Sequence, residues 1–136
     1  MPEAAIGTDL LAGFPGETGR DFDLESRALA DLPLRHVHVF PYSARPGTAA
    51  ASMDGRVPAA EIRRRADALG AIGREQTRRF YERMVGRELA ALTRGDGTTA
   101  LTENGLRLGI DRGRARNERV RVRVTSADPP RGEVIP

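Results

Sequence analysis

The sequence contains no cysteine, no lysine and no tryptophan, and its aromatic residues are limited to four phenylalanines and two tyrosines. Without cysteine the chain has no disulfide, no thiol nucleophile and no thiolate ligand for a metal. No apolar run approaches the roughly 20 residues that a membrane-spanning helix needs, and no basic leader followed by an apolar stretch opens the sequence. We therefore expect a cytoplasmic protein without a membrane partner, with a core of leucine, isoleucine, valine and alanine.

Arginine supplies all 22 basic residues, and it is unevenly distributed along the chain. Residues 1–60 contain 5 arginines against 8 acidic residues, whereas residues 61–136 contain 17 against 11. Genomic base composition is one explanation for the absence of lysine. The physical consequence is the same, because a guanidinium group binds phosphate through two parallel hydrogen bonds and stacks on bases. A polyanion is therefore expected to prefer the second half of the chain.

The first part of the chain has the pattern of a strand, a helix and a second strand. Residues 5–12 form a mostly apolar run, residues 17–30 have near-helical apolar spacing, and residues 36–42 alternate. This order within about 38 residues predicts two parallel strands joined by a crossover helix. Because two parallel strands can neither close a barrel nor enclose an adequate core, we interpret this unit as a fragment of a larger α/β barrel.

A long helix is predicted next. Pro58 suits its first turn, an apolar stripe at three- and four-residue steps continues to about Val85, and Gly86 suits its end. Gly70 and Gly73 weaken an isolated helix by about 1 kcal/mol each relative to alanine. The helix therefore needs a packing partner.

Short strands are predicted in the rest of the chain, at residues 88–93, 98–102, 105–110, 119–124 and 133–135, with a hairpin turn at Asn104-Gly105. In Arg119-Val-Arg-Val-Arg-Val124 the alternation directs valines to a core and arginines to solvent. These strands predict a small antiparallel β-barrel of the oligonucleotide-binding type. The fold class is thus α/β plus β. We expect domains at 1–58 and 86–136, with a connecting helix at 59–85.

Two loops form the candidate ligand site. Gly13-Phe-Pro-Gly-Glu17 follows the first strand, and Tyr42-Ser-Ala-Arg-Pro-Gly-Thr48 follows the second. Each could be an ordinary glycine and proline turn. However, the carboxyl ends of adjacent parallel strands are where α/β barrels have their active sites. Glycine also lets the backbone approach a nucleoside closely, so we expect ligand contact at these loops.

The histidines and the arginines each have a structural alternative to a functional role. His36 and His38 share one strand face, but no third ligand candidate lies nearby, so a structural role is favoured and no metal site is predicted. The arginines before and within the alternating strand form either a solvated face or a basic groove for nucleic acid. For RNA, contact with the backbone is expected rather than sequence-specific readout. These candidates are Arg112, Arg114, Arg116, Arg119, Arg121 and Arg123.

The two loops together resemble one protein family. Residues 6–18 followed by His38-Val-Phe-Pro-Tyr-Ser-Ala-Arg-Pro-Gly-Thr48 are similar to the radical S-adenosylmethionine methylthiotransferases, which modify tRNA or a ribosomal protein. Val57-Pro58 and Thr102-Glu-Asn-Gly-Leu-Arg107 continue the resemblance over essentially the whole chain, although Ala44 and Gly105 depart from the family pattern. The branch that acts on threonylcarbamoyladenosine in tRNA is the most similar. The isopentenyladenosine branch is second, and the ribosomal-protein branch is less similar.

The resemblance implies two sets of residues around S-adenosylmethionine. Those that line the cofactor are Gly13, Phe14 and Glu17, and those that flank its adenine are Phe40, Tyr42 and Ser43. Residues 86–136 would be a TRAM domain that grips tRNA through the six arginines above. In the family, one [4Fe–4S] cluster cleaves S-adenosylmethionine to a radical and a second supplies sulfur. The product carries a methylthio group at position 2 of a modified adenosine next to the anticodon.

The cysteines that hold these clusters in the family are absent from this sequence. We therefore expect the chain to be the C-terminal portion of such an enzyme, lacking the N-terminal domains that bear the clusters. It would have no catalytic residue of its own and would be inactive alone. The alternative is a non-catalytic RNA-binding module of the TRAM type.

Overall fold

The computed structural model describes residues 3–95, 97–111 and 114–136. In chain order its elements are β1 (Gly7–Ala12), α1 (Gly19–Asp31), β2 (His36–Pro41), a 3₁₀ helix (Ala49–Ser52), α2 (Ala59–Met84), β3 (Glu88–Arg94), β4 (Thr99–Thr102), β5 (Arg107–Gly109), β6 (Arg119–Ala127) and β7 (Pro130–Ile135). The predicted helices and strands are confirmed with small shifts at their ends, and the 3₁₀ helix directly follows the second candidate loop. Within the described ranges, no helix is long and apolar enough to cross a membrane.

The chain divides into two compact units. One consists of Ile6–Thr77, and the other consists of Arg78–Pro136 together with residues 3–5. The apolar stripe of α2 contributes Leu69 to the core of the first unit, and Phe80 and Met84 to the core of the second. The domain boundaries expected after residues 58 and 85 stay a prediction.

The first unit contains a parallel sheet of β1 and β2, as the strand–helix–strand pattern predicts. Gly7 is aligned with His36 at one end and Ala12 with Pro41 at the other. On one face, Val37 and Val39 pack against a buried cluster from β1, both helices and the connection before β2. Its members are Ala12, Phe22, Leu29, Leu34 and Leu69. The other face is exposed and carries Asp9, Leu11, His36, His38 and Phe40.

A capping box fixes the start of α1. The Thr18 hydroxyl accepts a hydrogen bond from the Asp21 N–H at 3.2 Å, and the Thr18 N–H donates to the Asp21 carboxylate at 2.9 Å. The bond from the Thr18 backbone is the main reason that the pKa of Asp21 lies below its usual value. Together these bonds satisfy backbone N–H groups that a helix start leaves unpaired. The helix therefore begins directly after the turn that contains Glu17.

The second unit contains a closed barrel in which the described strands follow the order β3-β4-β5-β7-β6. Pairing is antiparallel throughout this described ring except between β5 and β7, which are parallel. The predicted small barrel is confirmed, and its antiparallel pairing is wrong for the pair of β5 and β7 alone among these described strands. Strand directions cannot alternate around a closed ring of five, so at least one neighbouring pair must be parallel. The parallel pair is short and aligns Gly109 with Arg131.

The barrel interior follows the alternation seen in the sequence. Leu89, Val122 and Val124 are buried, whereas Arg119, Arg121 and Arg123 are exposed on the opposite face of β6 and β3, as the pattern predicts. The remaining buried members of this cluster are Phe80, Met84, Ala91, Ala100, Leu106, Leu108 and Ile110. Burial of aliphatic side chains on this scale is the main source of stability for a barrel of this size.

Gly73 allows α2 to approach β2 closely. A Cβ atom at Gly73 would lie 2.8 Å from the Cβ of Val37, which is too close for two carbon atoms. A Cβ atom at Gly70 would meet the end of the Arg74 side chain at 3.5 Å, an ordinary contact. The two helix glycines therefore have different reasons to be present, and the one at 73 is sterically required.

We predict opposite effects for the two alanine substitutions. Gly73→Ala adds a methyl group to a filled contact, which costs about 1–3 kcal/mol and outweighs the gain of about 1 kcal/mol in helix propensity. Gly70→Ala has that gain without the clash. Urea unfolding followed by circular dichroism should place G73A below the unsubstituted protein and G70A above it. Equal stabilities of the two variants would contradict the close contact with Val37.

Candidate functional site

The turn after β1 is held by hydrogen bonds between its backbone N–H groups and the side chain of Glu17. The N–H groups of Gly13 and Phe14 donate to Oε2 of Glu17, at 2.7 and 3.2 Å. The Glu17 N–H donates to the Phe14 carbonyl at 2.9 Å. Gly13 has a φ of +79°, and a Cβ atom there would lie 2.5 Å from Cγ1 of Ile62 in α2. Glycine suits both this conformation and this contact.

Glu17 is itself held by Arg65 of α2. Nη1 of Arg65 donates to Oε1 of Glu17 at 2.5 Å and to the Glu17 carbonyl at 3.1 Å, and its Nε donates to Glu61 at 2.8 Å. The side chains of Arg65 and Glu17 are only 7% and 11% exposed. The guanidinium also lies over the Phe22 ring, 5.5 Å from its centroid. Removing one partner of such a pair would leave an uncompensated buried charge.

Phe14 and Tyr42 bring the two candidate loops together. Their rings meet edge to face, with centroids 5.6 Å apart. The Tyr42 N–H donates to the Ala12 carbonyl at 2.8 Å, which carries the strand pairing one step past β2. The Tyr42 hydroxyl is buried and has no hydrogen-bond partner among the described residues. Because a buried hydroxyl without a partner is costly, this oxygen is suited to a polar group of a ligand.

A small pocket lies beside the Tyr42 ring. It has a volume of about 160 Å³ and is lined by Pro15, Tyr42, Ala44, Arg56, Val57 and Ile62. Pockets that enclose a drug-sized ligand measure about 300–1,000 Å³. The pocket can therefore enclose part of a nucleoside, and other walls would have to cover the rest.

Phe40 and Ser43 have different surroundings. Phe40 lies on the exposed face of the sheet, where its ring contacts that of His38 with centroids 4.2 Å apart. Nδ1 of His38 is 3.7 Å from the Asp9 carboxylate. Ser43 is exposed in the second loop. Direct contacts thus join four of the six residues expected around the cofactor, namely Gly13, Phe14, Glu17 and Tyr42.

The residues present do not fit an iron–sulfur cluster. Such a cluster is held by cysteine thiolates, and the sequence has none. In residues 3–95, 97–111 and 114–136, no group of three or more histidine, aspartate or glutamate side chains could hold a metal ion. The rings of His36 and His38 lie 6.0 Å apart on the exposed sheet face.

The arginine row of β6 is partly neutralised. Arg123 donates to Glu88 of β3 at 2.6 Å, and Arg121 lies 3.6 Å from the same carboxylate. The hydrogen bond from Arg123, and to a smaller extent the charge of Arg121, hold the pKa of Glu88 below its usual value. Arg119 is aligned with Leu92 instead, and it forms no ion pair within the described part of the chain. The three arginines are therefore unequal.

The loop before β6 carries the other arginine candidates. Arg114 and Arg116 are exposed, with Arg114 3.5 Å from Glu118, whereas Arg112 lies outside the described residues. The buried Thr93 hydroxyl anchors this loop, because it donates to a loop carbonyl and accepts from the Glu118 N–H at 2.8 Å. The loop is thus tied to β3 immediately before Arg119 begins β6.

Strand register places two arginines at the ends of an apolar row, which we call the arginine–leucine row. Arg119 is aligned with Leu92, Leu92 with Leu101, and Leu101 with Arg107, across four neighbouring strands. Leu92 is 39% exposed and lines an open, mostly apolar groove of about 400 Å³. With strands about 4.8 Å apart, the row is at most about 14 Å long at the backbone. It can offer phosphate contacts at its ends and an apolar surface to a base between them.

Arg65 and Glu61 were not among the residues predicted to matter at the site. Arg65 follows Ile62 by three residues and precedes Leu69 by four, so it lies on the apolar stripe of α2. An arginine on a buried stripe requires a paired carboxylate. That position was the available signal, and it identifies the residue but not its partner.

Comparison with known proteins finds close relatives of one kind. The chain is 41% identical over 108 residues to the threonylcarbamoyladenosine tRNA methylthiotransferase of Treponema pallidum. The aligned region covers 79% of this chain and 22% of that enzyme. It is 39% identical over 104 residues to the tRNA-2-methylthio-N(6)-dimethylallyladenosine synthase of Streptomyces griseus, covering 73% and 21%. It is 36% identical over 111 residues to the threonylcarbamoyladenosine tRNA methylthiotransferase of Rickettsia prowazekii, covering 82% and 26%.

The chain thus spans about a fifth to a quarter of the length of these curated relatives. No protein-family model matches it.

Glu61 makes the Arg65 network sensitive to pH. Hydrogen bonds from Arg64 and Arg65 lower the pKa of Glu61 from 4.5 to about 2. A carboxyl group whose pKa falls on folding stabilises the fold above its unfolded pKa, and this contribution is lost as the pH falls from 4.5 to about 2. We predict that Glu61→Gln lowers stability at neutral pH and that its difference from the unsubstituted protein narrows through this window. Urea unfolding at a series of pH values measures the free energy of unfolding of both proteins. A difference between the two that stays constant from neutral pH to about pH 2 would contradict the prediction.

Proposed function

Because the chain is homologous to the tRNA methylthiotransferases, we propose that it forms part of the nucleoside-binding wall and the RNA-binding domain of such an enzyme. The homology is the observation that carries this proposal, and it favours an enzyme component over a free-standing RNA-binding module. In this proposal Ile6–Thr77 belongs to a radical S-adenosylmethionine barrel. The closed β-barrel of the second unit is then a domain of the TRAM type.

The turn after β1 and the Tyr42 pocket would hold part of S-adenosylmethionine. Gly13 lets the turn pack against Ile62, which lines the Tyr42 pocket. The edge-to-face pair of Phe14 and Tyr42 offers an aromatic edge to the adenine. The unpaired Tyr42 hydroxyl supports a polar contact there. Phe40 and Ser43 would border the same ligand from the exposed sheet face and the second loop. When bound, S-adenosylmethionine supplies the methyl group and the precursor of the radical.

The two [4Fe–4S] clusters of this reaction would have their cysteine ligands outside these 136 residues, because the sequence has none. The role of this chain's own residues is then to bind and orient nucleosides and RNA. In this proposal the 136 residues alone do not catalyse methylthiolation.

We predict that the 136-residue chain assembles no cluster. After anaerobic incubation with iron, sulfide and a reductant, it should show neither cluster absorbance nor bound iron, because no thiolate is present. With S-adenosylmethionine and dithionite it should release no 5′-deoxyadenosine on chromatography. Stoichiometric iron together with cleavage of S-adenosylmethionine would overturn the assignment of the clusters to other residues.

For tRNA we propose that the arginine–leucine row is the central contact. Arg119 is the arginine of β6 that no carboxylate holds among the described residues. Arg116 would extend its charge along the anchored loop, and Arg114, which is paired with Glu118, would add less. Arg121 and Arg123 would contribute less, because Glu88 competes with phosphate for both. A protein that acts on tRNA would work in the cytoplasm. The loop motifs favour threonylcarbamoyladenosine as the modified nucleoside, with dimethylallyladenosine as the second choice.

We predict that single substitutions of the β6 arginines have unequal effects on tRNA binding. Arg119→Gln should weaken binding of tRNA and of unrelated RNAs about equally, and reduce the slope of log K against log salt by about 0.7–0.9 for one lost phosphate contact. Arg123→Gln should change the affinity and the salt slope much less, because Glu88 already neutralises the charge of Arg123. Fluorescence anisotropy at several salt concentrations measures both. A larger loss for Arg123→Gln than for Arg119→Gln would contradict the proposed contact.

A further inference from the structure

We propose that Arg65 is a positioning residue for the nucleoside-binding turn and that it acts through Glu17. The identity of the ligand, S-adenosylmethionine, rests on the function proposed above. The effect of Arg65 on the turn does not, and it can be measured without any ligand.

A continuous series of hydrogen bonds joins α2 to the turn. Arg65 binds Oε1 of Glu17, and the other carboxylate oxygen, Oε2, accepts from the N–H groups of Gly13 and Phe14. The two oxygens belong to one planar group, so the position of the first determines where the second points. Rotation of the Glu17 carboxylate would break its contacts with Arg65 and with the turn together. Arg65 therefore sets the direction from which the turn is held.

Arg65 is a fixed reference because two of its guanidinium nitrogens are bonded and the group lies over an aromatic ring. Nε is bound by Glu61, Nη1 is bound by the carboxylate and the carbonyl of Glu17, and the plane lies over Phe22. The side chain is 7% exposed. A lysine could not replace these contacts, since one ammonium group cannot occupy the positions of both Nε and Nη1.

The turn in question shapes the proposed ligand site directly. Phe14, whose N–H is held by Glu17, carries the ring that meets Tyr42 at 5.6 Å. Gly13, the other donor, is the point at which the turn contacts Ile62, which also lines the Tyr42 pocket. Loss of the Glu17 anchor would release both residues. Arg65 would thereby control nucleoside affinity through residues that border the ligand.

The competing explanation is that Arg65 is an ordinary buried ion pair that stabilises the whole first unit. The two explanations differ in where a substitution is felt. A positioning role predicts a local change at the turn, whereas a general stabilising role predicts the same change at every amide of Ile6–Thr77.

Arg64 offers a matched control. It binds Glu61 at 2.6 and 2.8 Å and lies 5.2 Å from the Phe22 centroid, so it shares two contacts with Arg65. The hydrogen bonds to Glu17 are made by Arg65. Comparing Arg65→Gln with Arg64→Gln therefore accounts for the contacts with Glu61 and Phe22. Because Arg65 is also the more buried of the two, the Leu69 amide serves as the internal reference for loss of a buried charge.

The test is amide hydrogen exchange by NMR on the full 136-residue chain. Arg65→Gln should raise the exchange rates of the Gly13 and Phe14 amides by about tenfold or more relative to the Leu69 amide, as expected for losing a charge-assisted hydrogen bond. Arg64→Gln should change them by less than about twofold. An equal rise at all three amides, or equal effects of the two substitutions, would overturn the proposal.

A double-mutant cycle tests whether Arg65 acts through Glu17. Glu17→Gln should release the same two amides, and Glu17→Gln combined with Arg65→Gln should release them no further than either change alone. Additive effects would overturn the proposal. If Arg65→Gln does not fold, Arg65→Lys replaces it throughout, with a smaller effect in the same direction.

Titration with S-adenosylhomocysteine separates this inference from the proposed function. In the unsubstituted chain the probe should shift the Phe14 and Tyr42 signals. Arg65→Gln should weaken that binding by about tenfold, and Arg64→Gln should leave it nearly unchanged. If the unsubstituted chain shows no shift, the nucleoside site is absent from these 136 residues. The exchange data would still decide whether Arg65 positions the turn.

Discussion

The candidate site depends on one constraint, which is the packing of α2 against β1, β2 and α1 within the first unit. Two parallel strands form a sheet too small to bury its own side chains, so the covered face has to be packed by helices. Leu69 of α2 enters the buried cluster, and Gly73 lets the helix backbone approach Val37. One and two helical turns before Leu69, Arg65 and Ile62 contact the turn after β1. The same helix face therefore builds the core and holds the ligand loop.

The parts of this structure that follow from local pattern could be predicted from the sequence. The alternation from Arg119 to Val124 is sufficient to decide which side chains of β6 face the barrel interior, because strand periodicity depends on neighbouring residues alone. The parallel pairing of β5 with β7 depends on closure of the whole ring, and no segment carries that information by itself. The prediction of antiparallel pairing was wrong at this pair for this reason.

The candidate site shows the same limit. Its two loops could be found from their glycines and prolines, since these residues mark turns at the ends of strands. The role of Glu17 could not, because its partner Arg65 lies 48 residues along the chain, and because Glu61, four residues from Arg65, is the carboxylate that local spacing would pair with it. Both oxygens of this carboxylate are occupied by Arg65 and the turn backbone, and its place beside a cofactor stays a prediction. Distances between remote residues were needed to distinguish these roles.

Glu88 gives the three arginines of β6 a property that a count of their charges would miss. It is a tethered counterion, because the pairing of β3 with β6 holds it within reach of Arg121 and Arg123. A phosphate that binds to Arg121 or Arg123 has to displace a carboxylate that cannot diffuse away. Such an exchange releases fewer mobile ions than binding at an unpaired arginine. Phosphate binding at the Arg119 end of β6 would therefore depend more steeply on ionic strength than binding at the Arg123 end of the same strand.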